Sequence, residues 1–214
     1  RQLTTRKSNW SVDSRRHEVT KVVLLNSTDK LKDEGNGLRL GMTRTLSDKS
    51  NRTWLDSDAY KDDKIPVDLQ MGTGQLNAYR AVQQFSGGQW KPGEAAAPIG
   101  WDYNKVEVNK SQDYTLEKPL QQGSFVAVTL AWNRVVDLND ANKNNMYDIG
   151  ENFRDRGLNN LDLSLVPADS NDTTQYTCAS ISEVDSMEHA FCQVPATGRY
   201  KIRVQYRQQV NEAT

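Results

Sequence analysis

Residues 140–151 place oxygen-bearing side chains at the spacing of a calcium-binding loop. Carboxylate or amide groups occupy positions 1, 3, 5, 9 and 12 of this segment, supplied by Asp140, Asn142, Asn144, Asp148 and Glu151. These positions supply ligands in calcium loops of about 12 residues, and a seventh-position main-chain carbonyl, here that of Met146, supplies one more. Calcium takes about six to eight oxygen ligands, so the pattern predicts a calcium site.

Two features of the loop leave a second interpretation open. Position 6, where a glycine normally allows a sharp turn, is Asn145, the residue that next best tolerates left-handed torsions. The flanking residues have the alternation of strands rather than the pattern of helices, so the loop differs from an EF-hand. Asn and Asp are also common in turns, and the alternative is a polar hairpin loop that binds no metal.

The two cysteines, Cys178 and Cys192, are candidates for a disulfide. If residues 177–181 and 188–194 form a hairpin, the thiols face each other at a separation that a disulfide can span. We expect the disulfide if the protein is exported, and two reduced, buried thiols otherwise. We do not expect an activating histidine beside either cysteine, which argues against a cysteine nucleophile.

Composition excludes several classes of function. The net charge of -1 gives no overall basic surface for nucleic acid. No apolar run approaches the roughly 18 residues of a membrane span, and no signal peptide is visible. The mean hydropathy is -0.78, but eight Tyr, five Trp and four Phe can seed a core. The chain begins with Arg1 rather than Met, so we expect a fragment or a processed product.

The second half of the chain has the alternation of half-buried strands. Val126, Val128, Leu130 and Trp132 share one face of such a segment. The pattern predicts about seven short strands, at residues 105–108, 114–116, 124–132, 161–165, 176–181, 188–194 and 200–206. Because no helical periodicity interrupts them, we expect an all-β sandwich of jelly-roll type over residues 102–208.

The first half has helical periodicity at its two ends. Apolar residues recur at helical spacing in residues 16–26 and 75–85, and a long polar stretch containing Gly35, Gly37 and Gly41 separates them. Two short helices cannot easily bury a core of their own. We therefore predict an α+β chain with an incomplete helical domain over residues 1–88, a linker over 89–101, the sandwich, and a tail over 209–214.

The helical segments resemble the C-terminal part of the subtilisin-like serine proteases. The run EVTKVVLLNST, which begins at Glu18, resembles the helix that follows the helix bearing the serine nucleophile in this family. The run GTGQLNAYRAV, which begins at Gly72, resembles the Gly-x-Gly-x-x-Asn-Ala segment that closes the same catalytic domain. The resemblance covers about residues 15–86 and implies that residues 1–88 are the end of an α/β catalytic domain.

The catalytic motifs of that family are not found in this sequence. The Gly-Thr-Ser segment of the nucleophile does not occur. His17 starts a predicted helix and His189 lies in a predicted strand, and neither belongs to a catalytic signature. We expect no catalytic residue in this chain, with the serine, histidine and aspartate supplied by an upstream segment of the same protease.

The second half resembles the β-sandwich domains that follow secreted subtilases and the bacterial pre-peptidase C-terminal domain. The matching runs are AWNR at 131–134, NNLDL at 159–163 and TGRYKIRV at 197–204. The resemblance implies an extracellular or cell-envelope location and a sandwich that stabilises the protease or contacts its protein substrate. The alternative is a calcium-binding β-sandwich with a binding or structural role and no connection to proteolysis. A standalone calcium-dependent enzyme is least favoured, because no acid, base and nucleophile converge.

Overall fold

The computed structural model describes residues 10–32 and 42–211. The parts of the predicted helical domain at 1–9 and 33–41, including Gly35, Gly37 and Gly41, lie outside the described residues, as do 212–214 of the predicted tail. The described helices are the 3-10 turns Val12–Arg15 and Trp54–Asp56 and three α-helices, α1 (His17–Asn26), α2 (Asp58–Lys61) and α3 (Ala78–Ser86).

Strands account for more of the described chain than helices do. They are β1 (Ser111–Thr115), β2 (Phe125–Ala131), β3 (Val136–Asn139), β4 (Asn152–Asp155), β5 (Asn160–Pro167), β6 (Cys178–Ser180), β7 (Met187–Gln193) and β8 (Tyr200–Gln208). A four-stranded sheet has the order β1-β8-β5-β6, while β2 pairs with β7 and β3 with β4. Every one of these pairings is antiparallel, which confirms a β-rich second half.

Two differences from the predicted strands stand out. The segment 105–108 is not a strand, and the chain instead enters β1 at Ser111. The ribbon of β3 and β4 is not among the seven predicted strands, although the residues flanking the loop were expected to be strand-like, and its residues are mostly exposed on both faces.

One core lies between the four-stranded sheet and the β2–β7 pair. Residues from β1, β5, β7 and β8 and their flanks are buried together, namely Ala96, Tyr114, Leu116, Leu163, Leu165, Ala190, Val194, Tyr200 and Ile202. Val126, Val128 and Leu130 of β2 pack against this cluster, which confirms the face predicted from their spacing. Full burial of each Leu contributes about 1.5–3 kcal/mol to folding.

A smaller core joins α1 to α3. Val19 and Val23 of α1 are in contact with Ala81 and Phe85 of α3 and with Trp101. The rings of Phe85 and Trp101 stack at 5.6 Å, and the indole N–H donates to the Phe85 carbonyl at 3.0 Å. The two helices therefore pack on each other rather than standing apart.

The start of α3 is fixed by its connection to the end of α1. The main chains of Asp29 and Gln75 exchange two hydrogen bonds of 2.8 Å, and the Asp29 carboxylate accepts from Asn77 Nδ2 at 2.6 Å and from Arg80. Gly74 has φ of 123°, and a Cβ there would lie 2.7 Å from the Asp29 carbonyl oxygen. This close approach explains the glycine.

The helices cover the outer face of the β2–β7 pair. The Thr129 hydroxyl of β2 donates to the Asn26 amide oxygen of α1 at 3.0 Å, and Asn133 Nδ2 donates to Glu18 at 2.8 Å. The ring of Trp54, which is 1% exposed, meets the imidazole of His189 of β7 edge to face at 6.2 Å. The polar stretch after α1 is thus held against β7 by the buried side chain of Trp54.

Residues 89–101, predicted to be a linker, are attached along their length. Trp90 N donates to the Trp101 carbonyl and Ala96 N to the Thr115 carbonyl, both at 2.7 Å. Ala96 is 2% exposed and belongs to the larger core. No helix within the described ranges is both long enough and apolar enough to cross a bilayer.

Candidate metal site and buried polar cluster

The predicted calcium loop forms the tip of the β3–β4 hairpin. The strands pair from Val136 with Asp155 to Asn139 with Asn152, and residues 140–151 close the turn between them. The rings of Tyr147 and Phe153 stack at 5.6 Å along one side of the tip. The loop therefore has two fixed ends and lies away from both cores.

The backbone of the loop follows the torsions expected for a sharp turn. Lys143, Asn145 and Gly150 have φ of 60°, 61° and 102°, in the left-handed region. Asn145 is the residue at the position where a glycine was expected, and asparagine accepts this conformation at a small cost. The absence of glycine at this position therefore does not prevent the turn.

Main-chain N–H groups already surround two of the predicted ligands. Asp140 accepts from Asn144 N at 3.2 Å and Asn145 N at 2.6 Å. Glu151 accepts from Ala141 N at 2.8 Å with one oxygen and from Asp148 N at 3.0 Å with the other. These bonds hold the two carboxylates at opposite ends of the loop and turned inward.

Asp148 sits between the two asparagines. Its Oδ2 accepts from Asn142 Nδ2 at 2.6 Å and Asn144 Nδ2 at 2.7 Å, while the asparagine oxygens accept main-chain N–H groups. The amide donors thus supply the positive partial charge that a cation would supply. To bind calcium through their oxygens, both amides must turn over, since each amide presents its NH₂ group to Asp148.

The structure brings the five predicted side-chain ligands into one hydrogen-bonded network, and the sixth residue, Met146, joins it without its predicted carbonyl. Met146 takes part through its main-chain N–H, which donates to Asn144 Oδ1 at 2.7 Å. In residues 10–32 and 42–211, no group of three or more His, Cys, Asp or Glu side chains is placed to hold a metal ion. A cation at this tip therefore depends on amide and main-chain oxygens as well as carboxylates.

Cys178 and Cys192 form a disulfide, with their Cα atoms 6.4 Å apart. The pairing differs from the hairpin that we expected: Cys178 lies opposite Leu165 of β5, and Cys192 lies opposite Val126 of β2. The bond thus joins the four-stranded sheet to the β2–β7 pair. It ties together the two layers that enclose the larger core.

Glu188 of β7 is a fully buried carboxyl group, with 0% exposure. It accepts a short hydrogen bond from the Ser180 hydroxyl, which in turn accepts the main-chain N–H of His189 at 3.1 Å. Burial raises the pKa of Glu188 to about 8, because the charged form loses its hydration and the hydrogen bonds from the Ser180 hydroxyl and the Ser182 main chain only partly replace it. The group is therefore protonated at neutral pH.

Lys30 and His189 lie on the other face of β7, beneath the helices. Lys30 is 2% exposed, and its Nζ lies over the rings of Trp54 at 5.1 Å and Phe191 at 4.6 Å. Burial, together with the nearby Arg80 charge, lowers the pKa of Lys30 to about 7. Burial also holds the pKa of His189 well below its ordinary value, so the imidazole is neutral.

Neither histidine belongs to a catalytic arrangement among the described residues. His17 is exposed at the start of α1, beside Glu18 at 3.3 Å. His189 Nδ1 lies 2.7 Å from the Thr129 hydroxyl, but that hydroxyl donates its proton to Asn26 rather than to the imidazole. Thr129 is therefore not activated as a nucleophile.

The sequence analysis did not single out Lys30 or Glu188. The only local signal for Glu188 was a charged residue, followed by His189, inside a strand with apolar neighbours. Lys30 lies in a polar stretch where a charged residue is expected to face solvent. Its burial depends on Trp54 and Phe191, which are distant in sequence.

No protein-family model and no curated protein matches this chain.

Proposed function

We propose that this chain is the non-catalytic C-terminal part of a subtilisin-like serine endopeptidase. In this proposal residues 1–88 complete the catalytic domain, and residues 102–208 form a jelly-roll-like sandwich with a calcium-binding hairpin. The observation that carries the proposal is an uncovered apolar surface on and beside α3. Leu76, Tyr79 and Val82 are 59%, 49% and 38% exposed, respectively.

This surface lies next to the face that α3 already buries. Ala81 and Phe85, four residues apart, pack against α1, while Tyr79 and Val82, three residues apart, are exposed. An exposed apolar surface beside a buried face is expected where a further layer packs on the helix. The upstream catalytic segment is the second layer in our proposal.

The burial of apolar residues on α1 limits the area that the upstream catalytic segment can cover. From the resemblance we expect Val19, Val22, Val23 and Val82 to lack part of their packing partners. That expectation is wrong for Val19 and Val23, which are 1% and 5% exposed because α3 and Trp101 cover them. Among the described residues of the two helices, the apolar side chains left for an additional partner are Leu24 of α1, which is 41% exposed, and the side formed by Leu76, Tyr79 and Val82.

The proposed enzyme hydrolyses peptide bonds through a serine, a histidine and an aspartate that this chain does not supply. In such an enzyme the serine attacks the carbonyl carbon while the histidine takes the serine proton, and the histidine then gives this proton to the leaving amine. The role of this chain is structural: the contacts of Asp29 with Asn77 and Arg80 fix α1 against α3. The pair then presents one apolar surface to the catalytic core.

A fluorophosphonate probe tests the protease proposal. We expect no labelling of this chain alone, and labelling of a product extended with the coding sequence that precedes Arg1. In the extended product, Val82→Lys is expected to abolish labelling or solubility, whereas Gln122→Lys, at an exposed residue of the β-rich half, leaves both unchanged. An extended product that carries no reactive serine refutes the proposal.

The calcium part of the proposal is supported by the convergence of the five loop side chains. Extracellular calcium modules have dissociation constants of about 0.1–1 mM. At about 10 mM calcium, binding to the folded state alone then adds about 1.4–2.7 kcal/mol. For a chain of this size that raises the melting temperature by about 3–10 °C relative to chelator.

The calcium measurement has a matched pair of variants. Asp148→Asn is expected to remove the calcium-dependent increase, because Asp148 is the only loop carboxylate whose hydrogen-bond donors are amide side chains that can turn away. Asp169→Asn, an exposed acid outside the hairpin, is expected to keep it. An identical melting temperature in calcium and chelator refutes the calcium site and favours a polar turn.

The second candidate function is a calcium-binding β-sandwich that takes no part in proteolysis. The disulfide between the layers favours an exported module of either kind, because such bonds persist in oxidising compartments. The two tests separate the candidates. Calcium-dependent melting together with an unlabelled extended product supports the second candidate and excludes the first.

A further inference from the structure

A cleft of about 530 Å³ opens between residues 59–63 of the helical half and strands β6 and β7. Its volume is within the range of small-ligand sites and accommodates one long side chain. The lining groups that bear on its chemistry are Tyr60, Asp62, Asp63, Tyr176, His189 and Phe191.

The carboxylates of the cleft have unused acceptors. Asp63 Oδ2 accepts the Tyr176 hydroxyl at 2.5 Å, and Asp62 Oδ1 accepts Lys64 N at 3.0 Å. Among the described residues, the second oxygen of each carboxylate accepts no hydrogen bond. Lys61 is the cation in the lining, and its Nζ donates to the Asp56 main-chain carbonyl at 2.8 Å. The charge at the cleft is therefore negative overall.

His189 adds a buried acceptor at the wall of the cleft. Thr129 donates its hydroxyl proton to Asn26 Oδ1, so the Thr129 oxygen accepts from His189 Nδ1–H at 2.7 Å. The neutral imidazole then carries its lone pair on Nε2. That atom is buried and has no hydrogen-bond partner among the described residues. Such an unpartnered buried acceptor favours a ligand that carries N–H donors.

The aromatic rings of the cleft suit the same kind of ligand. Tyr60 and Phe191 lie with their ring centroids 6.4 Å apart, and Tyr176 is 43% exposed at the opening. Lys30 Nζ already lies 4.6 Å from the Phe191 centroid, so the rings that are left for a ligand cation and its chain are those of Tyr60 and Tyr176.

We propose that the cleft binds an organic cation on a flexible chain, of the kind presented by arginine or lysine side chains and by small polyamines. The cationic head contacts the free oxygens of Asp62 and Asp63, and the chain lies against Tyr60 and Tyr176. The site lies within this chain, so the result does not depend on the protease proposal.

Titration followed by two-dimensional amide NMR tests this site. The probes are the methylamides of N-acetyl-arginine and N-acetyl-lysine, putrescine, and N-acetyl-glutamate methylamide as the anionic control. We expect the cations to shift residues 59–63, 176–179 and 189–193 saturably, with dissociation constants of about 1–10 mM. Preference for the amino-acid amides assigns the site to basic side chains, and preference for putrescine assigns it to polyamines.

The variant pair makes the proposal falsifiable. The double variant Asp62→Asn and Asp63→Asn is expected to weaken cation binding at least tenfold. Asp62→Asn alone, at an exposed residue, provides a second measurement of cation affinity in which the hydrogen bond between Tyr176 and Asp63 is kept. Asp169→Asn is the control and is expected to bind as the unmodified chain does. No saturable shift, equal shifts with the glutamate derivative, or unchanged affinity in the double variant overturns the proposal.

Discussion

Replacing Glu188 by glutamine is expected to change how the stability of the protein depends on pH. The carboxyl group is 0% exposed and its pKa is raised to about 8 from an ordinary value of 4.5. Between these two pH values the unfolded chain has released the proton and the folded chain has kept it. The stabilisation is therefore complete below pH 4.5 and is lost as the pH rises toward 8.

The magnitude follows from the number of protons released. One proton released on unfolding lowers the free energy of unfolding by about 1.4 kcal/mol per pH unit. From pH 5 to pH 7 Glu188 therefore contributes a loss of about 2–3 kcal/mol. Glutamine has nearly the same shape, accepts the Ser180 hydroxyl and does not titrate. Relative to the unmodified chain, the variant is thus expected to gain about 2–3 kcal/mol across this interval.

The comparison between variant and unmodified chain is necessary because His189 acts in the opposite direction. Its pKa is lowered by burial, so the stability that it contributes is lost as the pH falls below about 6.5. The free energy of unfolding of the unmodified chain therefore changes less steeply with pH than the Glu188 contribution alone does. Urea unfolding at pH 5, 6 and 7 measures the difference, with the exposed Glu117→Gln as control. A difference that is constant with pH would show that Glu188 is charged in the folded protein.

Three further predictions concern stability. Gly87→Ala is expected to cost about 1–3 kcal/mol, because the new Cβ would lie 2.3 Å from a main-chain oxygen, while Gly198→Ala changes the urea midpoint little. Asp113→Asn is expected to cost about 3 kcal/mol at pH 7, because it leaves the buried cations Lys201 and Arg203, which are 6% and 4% exposed, without their carboxylate. Although burial alone would raise the pKa of Asp113, its hydrogen bonds lower it, so this cost shrinks as the pH falls below about 4. Replacing Cys178 and Cys192 by alanine is expected to cost about 3 kcal/mol relative to the disulfide-bonded chain, for a sequence separation of 14. The reduced, unmodified chain is the control and should be as stable as the variant.

The strands that face the larger core were the most predictable elements. In β2 and β8 the apolar residues at every second position belong to that core or pack on it, so the sequence alone gives both the strand and its core face. The β3–β4 ribbon was expected only as strand-like flanks of the loop, since burial does not select its residues. The segment 105–108 shows the reverse error, where an alternating pattern in a loop resembled a short strand.

The calcium loop and the cleft also differ in how far the sequence predicts them. The loop ligands are close in sequence, so their spacing was sufficient to identify them, and the left-handed torsion of Asn145 agrees with that spacing. The cleft combines residues from 59–63, 176–179 and 189–193, which come together only after the helical half packs on β7. No local pattern indicates that His189 and Asp63 line one cleft.

The contacts of the helical half imply that its order depends on the β-rich half. Trp54 and Lys30 are buried against His189 and Phe191 of β7, and Asn26 is bonded to Thr129 of β2. Loss of the outer face of β7 would expose an aromatic ring and a buried ammonium together. The two halves are therefore expected to unfold in one transition, even though the resemblance assigns them to different domains. An additional partner on the Tyr79 and Val82 side can then add stability without being required for the fold.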